Sequence, residues 1–327
     1  MMEIAIIGAG MAGLTLAREL KDCASITIFE KSRGYGGRMA TRQRGDFQFD
    51  HGAQFFTAKT PPFRKFLKPF IDQGTVARWD ARFVEMDRNV VTDSRQWDDE
   101  YPHYVAQPGM NALCESMAQS LNIKLETRVV RIEKQSDRWQ LLDGHGNHLA
   151  EVDWVITAIP AGQADELLPA GCSFKQELNE KPMLGCYSLM LGFEQPLSLP
   201  WDAALVKNAD ISWVCNNHTK PGRPEKPTLL VHATNRWAEE NMELDDAAVI
   251  AHLQQETAAV TGMDLEHAVH TDLHRWRYAN ISKQWGDRSC LDTHMQLGAI
   301  GDWCVKGRIE SAFQSGMHLA KQLRELI

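Results

Sequence analysis

The segment that decides the fold runs from Glu3 to Glu30 and reads EIAIIGAGMAGLTLARELKDCASITIFE. It opens with a short, nearly continuous apolar run, which is typical of a buried parallel strand. Leu14, Ala17 and Leu20 then recur at helical spacing, and a second apolar run ends at the acid Glu30. The segment therefore predicts a β–α–β unit with glycines at its first turn.

The three glycines of this turn each have a physical reason to be there. Gly8 permits the tight turn, Gly10 lets the backbone approach a pyrophosphate, and Gly13 lets the helix pack on the strands. The N–H groups and the dipole at the helix start attract the anion. Glu30 can accept hydrogen bonds from both ribose hydroxyls of an adenosine. The strand, the helix, the second strand and the acid all lie where the G-x-G-x-x-G dinucleotide-binding motif requires them. The segment therefore predicts dinucleotide binding.

The residues after the acid indicate which dinucleotide is bound. Residues 31–38 read KSRGYGGR, which resembles the extended signature of the FAD superfamily of amine oxidases, phytoene desaturases and p-hydroxybenzoate hydroxylase. In that superfamily the Gly-Gly-Arg turn lies along the cofactor. Residues 297–302 read LGAIGD, a strand ending in the superfamily's second landmark, whose Asp accepts hydrogen bonds from the ribityl chain. The helix start near residues 307–312 can then direct its positive end at flavin N1 and O2.

Length, charge and cysteine content narrow the class of protein. The 327 residues suffice for about two domains. A net charge of −8 with no basic run disfavours nucleic acid as a partner. No apolar run reaches membrane length, and the start leads straight into a strand, so no membrane span or signal peptide is predicted. Seven scattered cysteines without a Cys-x-x-Cys pair predict a cytoplasmic protein with no disulfide framework and no metal site.

The middle of the chain predicts a second domain. Strand-like runs and one helix (residues 245–260) indicate an α+β domain on an antiparallel sheet, and residues 220–227, KPGRPEKP, read as a polar surface loop. Residues 74–103 show little of the periodicity that would predict a helix or a strand. The fold class is therefore predicted as α/β, a Rossmann-type FAD-binding domain plus an α+β substrate domain. The predicted FAD-binding domain comprises residues 1–60, 104–165 and 280–327, and the predicted substrate domain comprises 61–103 and 166–279.

Six blocks spread along the chain sharpen the resemblance. They are KSRG-x-GGRM at 31–39, GAQ-x-FTA at 52–58, PGM at 108–110, HAT-x-x-W at 232–237, HRW-x-YA at 274–279 and GDWC-x-x-GR at 301–308. Together they resemble the bacterial renalases, which carry FAD on a p-hydroxybenzoate-hydroxylase-type fold. The resemblance implies oxidation of 2- and 6-dihydro isomers of reduced NAD(P), with hydride passing to flavin N5. Dioxygen would reoxidise the flavin to give hydrogen peroxide, and the product would be ordinary NAD(P)⁺.

The resemblance also implies which residues form the site. Hydride transfer from a dihydropyridine needs stacking and orientation rather than a general acid or base, so no catalytic side chain or metal ligand is predicted. The predicted contacts of non-covalent FAD are Gly8, Gly10, Met11, Ala12, Gly13, Glu30, Lys31, Gly37, Arg38, Gln54, Phe55, Val129, Asp302 and Ile309. The predicted substrate contacts are Phe55, Phe56, Thr57, Ala58, Lys59, Cys186, His232, Trp237, Arg275 and Trp303, with Trp276 as a further wall.

Three alternatives stay open at this point. An amine oxidase of the same fold would favour an aromatic cage or acids around a cation, and often a lysine near N5, for which Lys59 is available. A flavin hydroxylase usually carries a mid-chain Asp-Gly motif, but Asp143-Gly144 reads more simply as a hairpin turn. A non-enzymatic flavin binder is the third. The substrate isomer, the choice between NAD and NADP, the oxygen reactivity and the oligomeric state are left open.

Overall fold

The glycine turn forms as predicted in the computed structural model, which describes residues 1–282 and 286–326. Gly8 turns with φ at +110°, a conformation that favours glycine, and the helix begins at Met11. The strands are β1 (Glu3–Ile7), β2 (Ser25–Phe29), β3 (Arg42–Arg44), β4 (Phe47–Phe49), β5 (Phe56–Thr57), β6 (Val76–Arg78), β7 (Arg82–Asp87), β8 (Val90–Gln96), β9 (His103–Ala106), β10 (Ile123–Lys124), β11 (Arg131–Gln135), β12 (Arg138–Leu142), β13 (His148–Val152), β14 (Trp154–Thr157), β15 (Met183–Phe193), β16 (Ala203–Lys207), β17 (Ile211–Asn216), β18 (Thr228–Ala233), β19 (Ala268–Ile281), β20 (Cys290–Asp292) and β21 (Leu297–Ala299). The helices are α1 (Met11–Leu20), α2 (Pro61–Asp72), α3 (Ala112–Ala118), α4 (Ala161–Leu167), α5 (Lys175–Asn179), α6 (Asn235–Glu240), α7 (Asp246–Thr261) and α8 (Ile309–Arg324), with 3-10 turns at Asn217–Thr219 and Asp302–Cys304.

The first of two units contains both ends of the chain. It comprises Met1–Arg38, Leu113–Met183 and Ile281–Ile327. Its sheet has the strand order β10-β2-β1-β14-β21-β20, in which every neighbouring pair is parallel except the last. This order is that of a doubly wound Rossmann-type sheet. A three-stranded antiparallel sheet, β11-β12-β13, buries Trp139 and Leu141 in the same core as Phe29.

The second unit comprises Met39–Ala112 and Leu184–Asn280. Its main sheet has the order β19-β15-β18-β17-β16-β7-β8, and the pairs whose register is known are antiparallel except β16 with β7. Alternate residues of the strands, such as Tyr187 and Val231, pack with α7 residues Val249 and Leu253 in one core. The α/β fold class, with a Rossmann-type domain and a second sheet domain, is confirmed.

The two units divide the chain differently from the predicted domains. Residues 39–60 and 104–112, predicted to lie in the FAD-binding domain, pack in the second unit, and residues 166–183 pack in the first. Residues 283–285 and 327 of the predicted FAD-binding domain lie outside the described residues. Because compactness and ligand binding are different criteria, the functional division stays a prediction.

In residues 74–103 the sequence shows no clear periodicity of apolar residues. The structure forms the strands β6, β7 and β8 there, and β9 begins at His103. All seven residues of β8 are exposed, and the strand lies at the edge of its sheet. A strand with neither face buried has no alternation of apolar and polar residues to detect. Throughout residues 1–282 and 286–326, every helix is too short or too polar to cross a bilayer.

Candidate functional site

The glycine turn of the first unit is closely packed on one side and open on the other. A Cβ atom at Gly13 would lie 2.2 Å from the carbonyl oxygen of Gly8, and one at Gly8 would lie 2.6 Å from another backbone oxygen. At Gly10 the nearest atom to a Cβ would be the oxygen of Gly36 at 3.9 Å, and at Gly37 it would be a Cα at 3.8 Å. Gly8 and Gly13 thus serve packing, while Gly10 and Gly37 leave a cradle in which a pyrophosphate fits.

Backbone donors and an acid complete this cradle. Helix α1 has no side-chain cap and no acid in its first turn, so its N-terminal N–H groups are available to an anion. The buried carboxylate of Glu30 accepts hydrogen bonds from the backbone N–H groups of Ala9 and Ser32, both at 2.8 Å. A carboxylate has further lone pairs, which the ribose hydroxyls of an adenosine can use.

Removing the Glu30 carboxylate is expected to weaken FAD retention. Glu30→Ala loses the charged acceptor of two backbone bonds and of the ribose, and a hydrogen bond to a charged group contributes about 1.5–3 kcal/mol. We expect the FAD dissociation constant, measured after removal of the flavin, to rise about 10- to 100-fold. Glu30→Gln should show a smaller rise because it keeps an acceptor. The exposed acid Glu166, replaced by Ala, serves as the control; equal flavin content in all three variants would contradict the role of Glu30.

The two landmarks predicted to hold FAD meet directly, although they are 264 positions apart. Both terminal nitrogens of Arg38 donate to the two carboxylate oxygens of Asp302, one of them at 3.0 Å. The pair is partly buried, with side-chain exposures of 30% and 10%. Helix α8 begins seven residues later at Ile309, after Gly307 donates its backbone N–H to the carbonyl oxygen of Asp302. These are groups suited to a polyhydroxyl chain and a phosphate.

Other predicted cofactor residues fall into different environments of the first unit. Val129 is buried, and just before it the N–H groups of Glu126 and Thr127 donate to the carbonyls of Ser32 and Glu30. Met11 and Ala12 are buried at the start of α1, whereas Lys31 is exposed. Trp303, a predicted substrate contact, is fully buried and donates its indole N–H to the carbonyl of Ile159 at 3.0 Å. The structure thus gives Trp303 a packing position.

In the second unit, the main sheet separates the predicted substrate residues onto two faces. Ser188 pairs with His232, and His232 pairs with Trp213, so these residues and Cys186 share one face, called here the site face. Trp237 packs on the helix-covered face, where its ring stacks on a histidine of α7. Arg275, an odd-numbered residue of β19, likewise bonds to Asp246 at the start of α7 at 2.8 Å. The structure therefore brings together Cys186 and His232, but not Trp237 or Arg275.

Phe55 is the centre of an aromatic cluster in the second unit. Its ring centroid lies 4.9 Å from that of Trp97, 5.1 Å from that of His103 and 5.6 Å from that of Trp213. Phe55 is half-buried, as are Thr57 and Ala58, while Phe56 is buried and Lys59 is exposed. Trp97 and Trp213 were missed by sequence reasoning, because no motif marks them and they approach Phe55 only through the fold.

A fully buried charge cluster holds the segment that leads to Phe55. The carboxylate of Asp50 accepts from Lys220 Nζ at 3.2 Å and from Arg223 at 2.6 Å, and all three side chains have zero exposure. Lys220 also donates to Gln54 Oε1 at 3.2 Å, and Gln54 Nε2 donates to the carbonyl of Asp50 at 2.6 Å. Burial alone would raise the pKa of Asp50, but the charges of Lys220 and Arg223 lower it to about 2.

The prediction that residues 220–227 form a polar surface loop is therefore wrong for Lys220 and Arg223. Both cations are buried because Asp50 offers a carboxylate inside the unit, and no local pattern reveals such a distant partner. Gln54, predicted to contact the flavin, uses both N–H groups of its amide within this unit, on the carbonyls of Asp50 and Gly52. Its contact with flavin stays a prediction.

Three histidines near the site face are held neutral. Burial lowers the pKa of His51 to about 3 and of His232 and His274 to about 4. His51 stacks on Trp276, whose indole N–H donates to the His51 carbonyl at 2.9 Å. Burial also raises the pKa of the Cys186 thiol to about 12, so the thiol is not a nucleophile at neutral pH. These groups shape a neutral surface rather than supply acid–base chemistry.

The depressed histidine pKa values predict an acid-sensitive fold. Between about pH 4 and 6.5 the unfolded chain binds protons that the folded chain does not, so the free energy of unfolding falls as the pH falls. One such histidine contributes a slope of up to about 1.4 kcal/mol per pH unit. His232→Gln should reduce the slope measured by urea unfolding of the FAD-saturated protein, and the exposed His267→Gln serves as the matched control. An unchanged slope in His232→Gln would contradict the assignment.

Among residues 1–282 and 286–326, one group of possible metal ligands is present that sequence spacing did not reveal. Asp210, His252 and Glu256 each place a ligand atom within 4.8 Å of the others, all three half-exposed. The His252 ring lies 3.0 Å from the Asp210 carboxylate, and Glu256 accepts the Asp210 backbone N–H at 3.1 Å. These bonds already account for the arrangement.

Comparison with known proteins decides the family. Residues 84–324 match the family described as flavin containing amine oxidoreductase, and residues 6–70 match an NAD(P)-binding Rossmann-like domain. The chain belongs to the flavin containing amine oxidoreductase family. It is accordingly an oxidoreductase whose cofactor is FAD, and the glycine cradle with its Arg38–Asp302 pair fits that cofactor.

The proteins to which this flavin oxidoreductase is similar are named for different reactions. A 4,4'-diapophytoene desaturase (4,4'-diaponeurosporene-forming) of Staphylococcus aureus (strain Newman) is 44% identical over 52 residues, which are 16% of this chain and a tenth of the relative's length. A protein from Exiguobacterium sp. 255-15, assigned as a protoporphyrinogen oxidase, has a TM-score of 0.79 at 14% identity, covering 100% of this chain and 99% of that one. A triple mutant of putrescine oxidase has a TM-score of 0.73 at 12% identity with the same coverage. At these identities the structures show the fold alone.

Proposed function

We propose that this flavin oxidoreductase is an oxidase of dihydronicotinamide dinucleotides. It converts the 2- and 6-dihydro isomers of NAD(P) to NAD(P)⁺, and dioxygen is reduced to hydrogen peroxide. The observation that carries the proposal is the neutral aromatic character of the site face and of the Phe55 cluster that contacts it through Trp213. The half-buried Phe55 and its neighbour Trp213 offer aromatic rings, and the imidazole of His232 is uncharged at neutral pH.

This surface suits a substrate that is flat and uncharged at its reacting ring. A dihydropyridine becomes an aromatic cation on losing hydride, so the chain has to orient and stack the ring rather than move a proton. Bound FAD supplies the two-electron acceptor and the reaction with dioxygen. The chain's own contribution is a rigid aromatic wall, because the Asp50 cluster fixes the segment that carries Phe55.

The neighbouring carboxylates do not favour a cationic substrate. Asp50 is paired with two cations, and Glu85 is paired with Lys207 at 2.8 Å and Arg95 at 3.4 Å. An ammonium group would have to compete with these partners. Amine oxidation remains the second candidate, because rings such as those around Phe55 can also bind a cation through their faces.

Anaerobic stopped-flow mixing tests the proposal. We expect 2- and 6-dihydronicotinamide dinucleotides to bleach the oxidised flavin within seconds, and normal NADH and a panel of amines, including putrescine, to do so at least about 100-fold more slowly, a difference of roughly 2.7 kcal/mol in activation free energy. Fast bleaching by an amine alone would replace the proposal with amine oxidation. Fast bleaching by normal NADH would indicate a general reductase or a hydroxylase, and no bleaching by any of them would favour a flavin binder.

A further inference from the structure

We propose that Trp213 and His232 form a subsite that recognises a carboxamide group, the substituent carried by a nicotinamide ring. The indole N–H of Trp213 donates to the carboxamide oxygen, and Nε2 of His232 accepts from the carboxamide nitrogen. The choice of a nicotinamide ligand rests on the proposed function, whereas the donor and acceptor pair is a feature of the second unit itself.

The two side chains are neighbours because of the register of two strands. Trp213 on β17 pairs with His232 on β18 in an antiparallel ladder, directly after a register irregularity between Ile211 and Trp213. Residues opposite each other in such a pair project to the same face with their Cβ atoms about 5 Å apart. The Trp213 ring also lies 5.6 Å from the Phe55 ring, at an angle of 38°. A planar ligand group on this face would therefore meet an aromatic wall and two ring nitrogens together.

Both ring nitrogens are buried without a partner. Nε1 of Trp213 and Nε2 of His232 are shielded from solvent and have no hydrogen bond, and Trp213 as a whole is 9% exposed. Buried polar groups in native proteins are nearly always hydrogen-bonded, and leaving one unsatisfied costs about 1–3 kcal/mol. Because the two unsatisfied nitrogens belong to paired residues on one face, we infer that a ligand completes them.

The protonation state of His232 determines which hydrogen-bonding group a ligand must present to Nε2. Burial lowers its pKa to about 4, although a hydrogen bond to the backbone of His51 favours the charged ring. The ring is therefore neutral at pH 7. Because Nε2 has no partner, the bond to His51 is made by Nδ1, which donates its N–H. A neutral imidazole has one donor and one acceptor, so Nε2 presents a lone pair.

A donor beside an acceptor is the complement of an amide. The indole N–H can only donate, and Nε2 of His232 can only accept, whereas a carboxamide carries an acceptor oxygen and a donor nitrogen in one plane. A carboxylate would place an oxygen against the imidazole lone pair, and an ammonium group has no acceptor for the indole. The pyrimidine edge of a flavin also pairs an acceptor with a donor, and the experiment separates that occupant from the carboxamide.

The test uses equilibrium binding to the FAD-loaded protein, so that it does not depend on turnover. NAD⁺ carries a carboxamide, and its 3-acetylpyridine analogue keeps the carbonyl oxygen but lacks the amide N–H. Trp213→Phe removes the indole donor while keeping an aromatic ring. His232→Asn keeps a donor near the position of Nδ1 and removes the acceptor at Nε2. Dissociation constants are measured from the change in the flavin absorption spectrum as ligand is added.

We expect a distinct result for each variant. Trp213→Phe should weaken NAD⁺ and the acetylpyridine analogue alike, by about tenfold, since both keep the oxygen that the indole contacts. His232→Asn should weaken NAD⁺ by about tenfold and leave the analogue unchanged. The control Trp201→Phe removes another buried indole of the second unit and should leave both constants unchanged. Unfolding midpoints confirm that each variant is folded.

Other outcomes overturn the inference. If both variants bind NAD⁺ and its analogue with wild-type dissociation constants, buried water rather than a ligand satisfies the ring nitrogens of Trp213 and His232. Loss of FAD by both variants would assign the pair to the pyrimidine edge of the flavin. If the wild-type protein does not bind NAD⁺, the assignment of a nicotinamide carboxamide to this subsite is wrong. If NAD⁺ binds as expected but dihydronicotinamides do not reduce the flavin, the proposed function fails and the subsite stands.

Discussion

Gly13→Ala is expected to destabilise the protein and to abolish FAD binding, whereas Gly10→Ala should leave the fold intact and weaken FAD alone. The added methyl at Gly13 would lie 2.2 Å from the backbone oxygen of Gly8, so helix α1 must move from β1. Overpacking of this kind costs about 1–3 kcal/mol or more. At Gly10 the methyl has no neighbour closer than 3.9 Å, and it fills only the space where the pyrophosphate would lie.

The two variants are matched, because each adds one methyl group to the same turn. Urea unfolding of the flavin-free proteins should show a loss of stability for Gly13→Ala only. Flavin content after purification should fall in both. The assignment of the cradle would be refuted by a Gly10→Ala variant that retains FAD with wild-type affinity.

Asp50→Asn is expected to unfold or severely destabilise the second unit. The substitution keeps the shape of the side chain but leaves Lys220 and Arg223 buried with no neutralising charge. Breaking a buried ion pair by removing one partner costs about 3–5 kcal/mol, which is a large part of the stability of a typical domain. Urea or thermal unfolding of the FAD-saturated protein measures the loss.

Asp80→Asn is the control, because Asp80 pairs with Arg78 at 2.7 Å in an exposed position. Exposed pairs contribute little, so this variant should unfold close to the wild-type midpoint. A second variant, Lys220→Met, removes one of the two cations and keeps an unbranched side chain of similar length. It should be less harmful than Asp50→Asn, since Arg223 still balances the carboxylate. Equal stability of Asp50→Asn and Asp80→Asn would contradict the buried-charge argument.

The cofactor half of the protein could be predicted from the sequence because its signals are local. The turn glycines, the periodicity of α1 and the acid at Glu30 lie within 30 residues, and the structure forms the strand, helix and strand that they predict. The Gly-Asp landmark is equally local. What could not be derived is that Arg38 and Asp302 contact each other, since nothing in either segment specifies a partner 264 positions away.

The substrate half could be predicted only as a set of elements. Strand-like runs are predicted at residues 186–193 and 228–233, but the sequence does not distinguish the face that carries His232 from the face that packs on α7. The resemblance predicts Trp237 and Arg275 as substrate contacts, yet both pack toward α7 on the helix-covered face. Trp97 and Trp213 were overlooked because isolated tryptophans carry no motif.

By itself, the sequence determined the β–α–β unit, the FAD fingerprint and the strands and helices with a clear periodicity, because backbone sterics and the periods of 2 and 3.6 residues act over short distances. The tertiary structure alone decided that Lys220 and Arg223 are buried on Asp50, and that Trp213 stands beside His232. Strand register and the burial of charge depend on partners far along the chain. Their free energies arise only when the packed core excludes water.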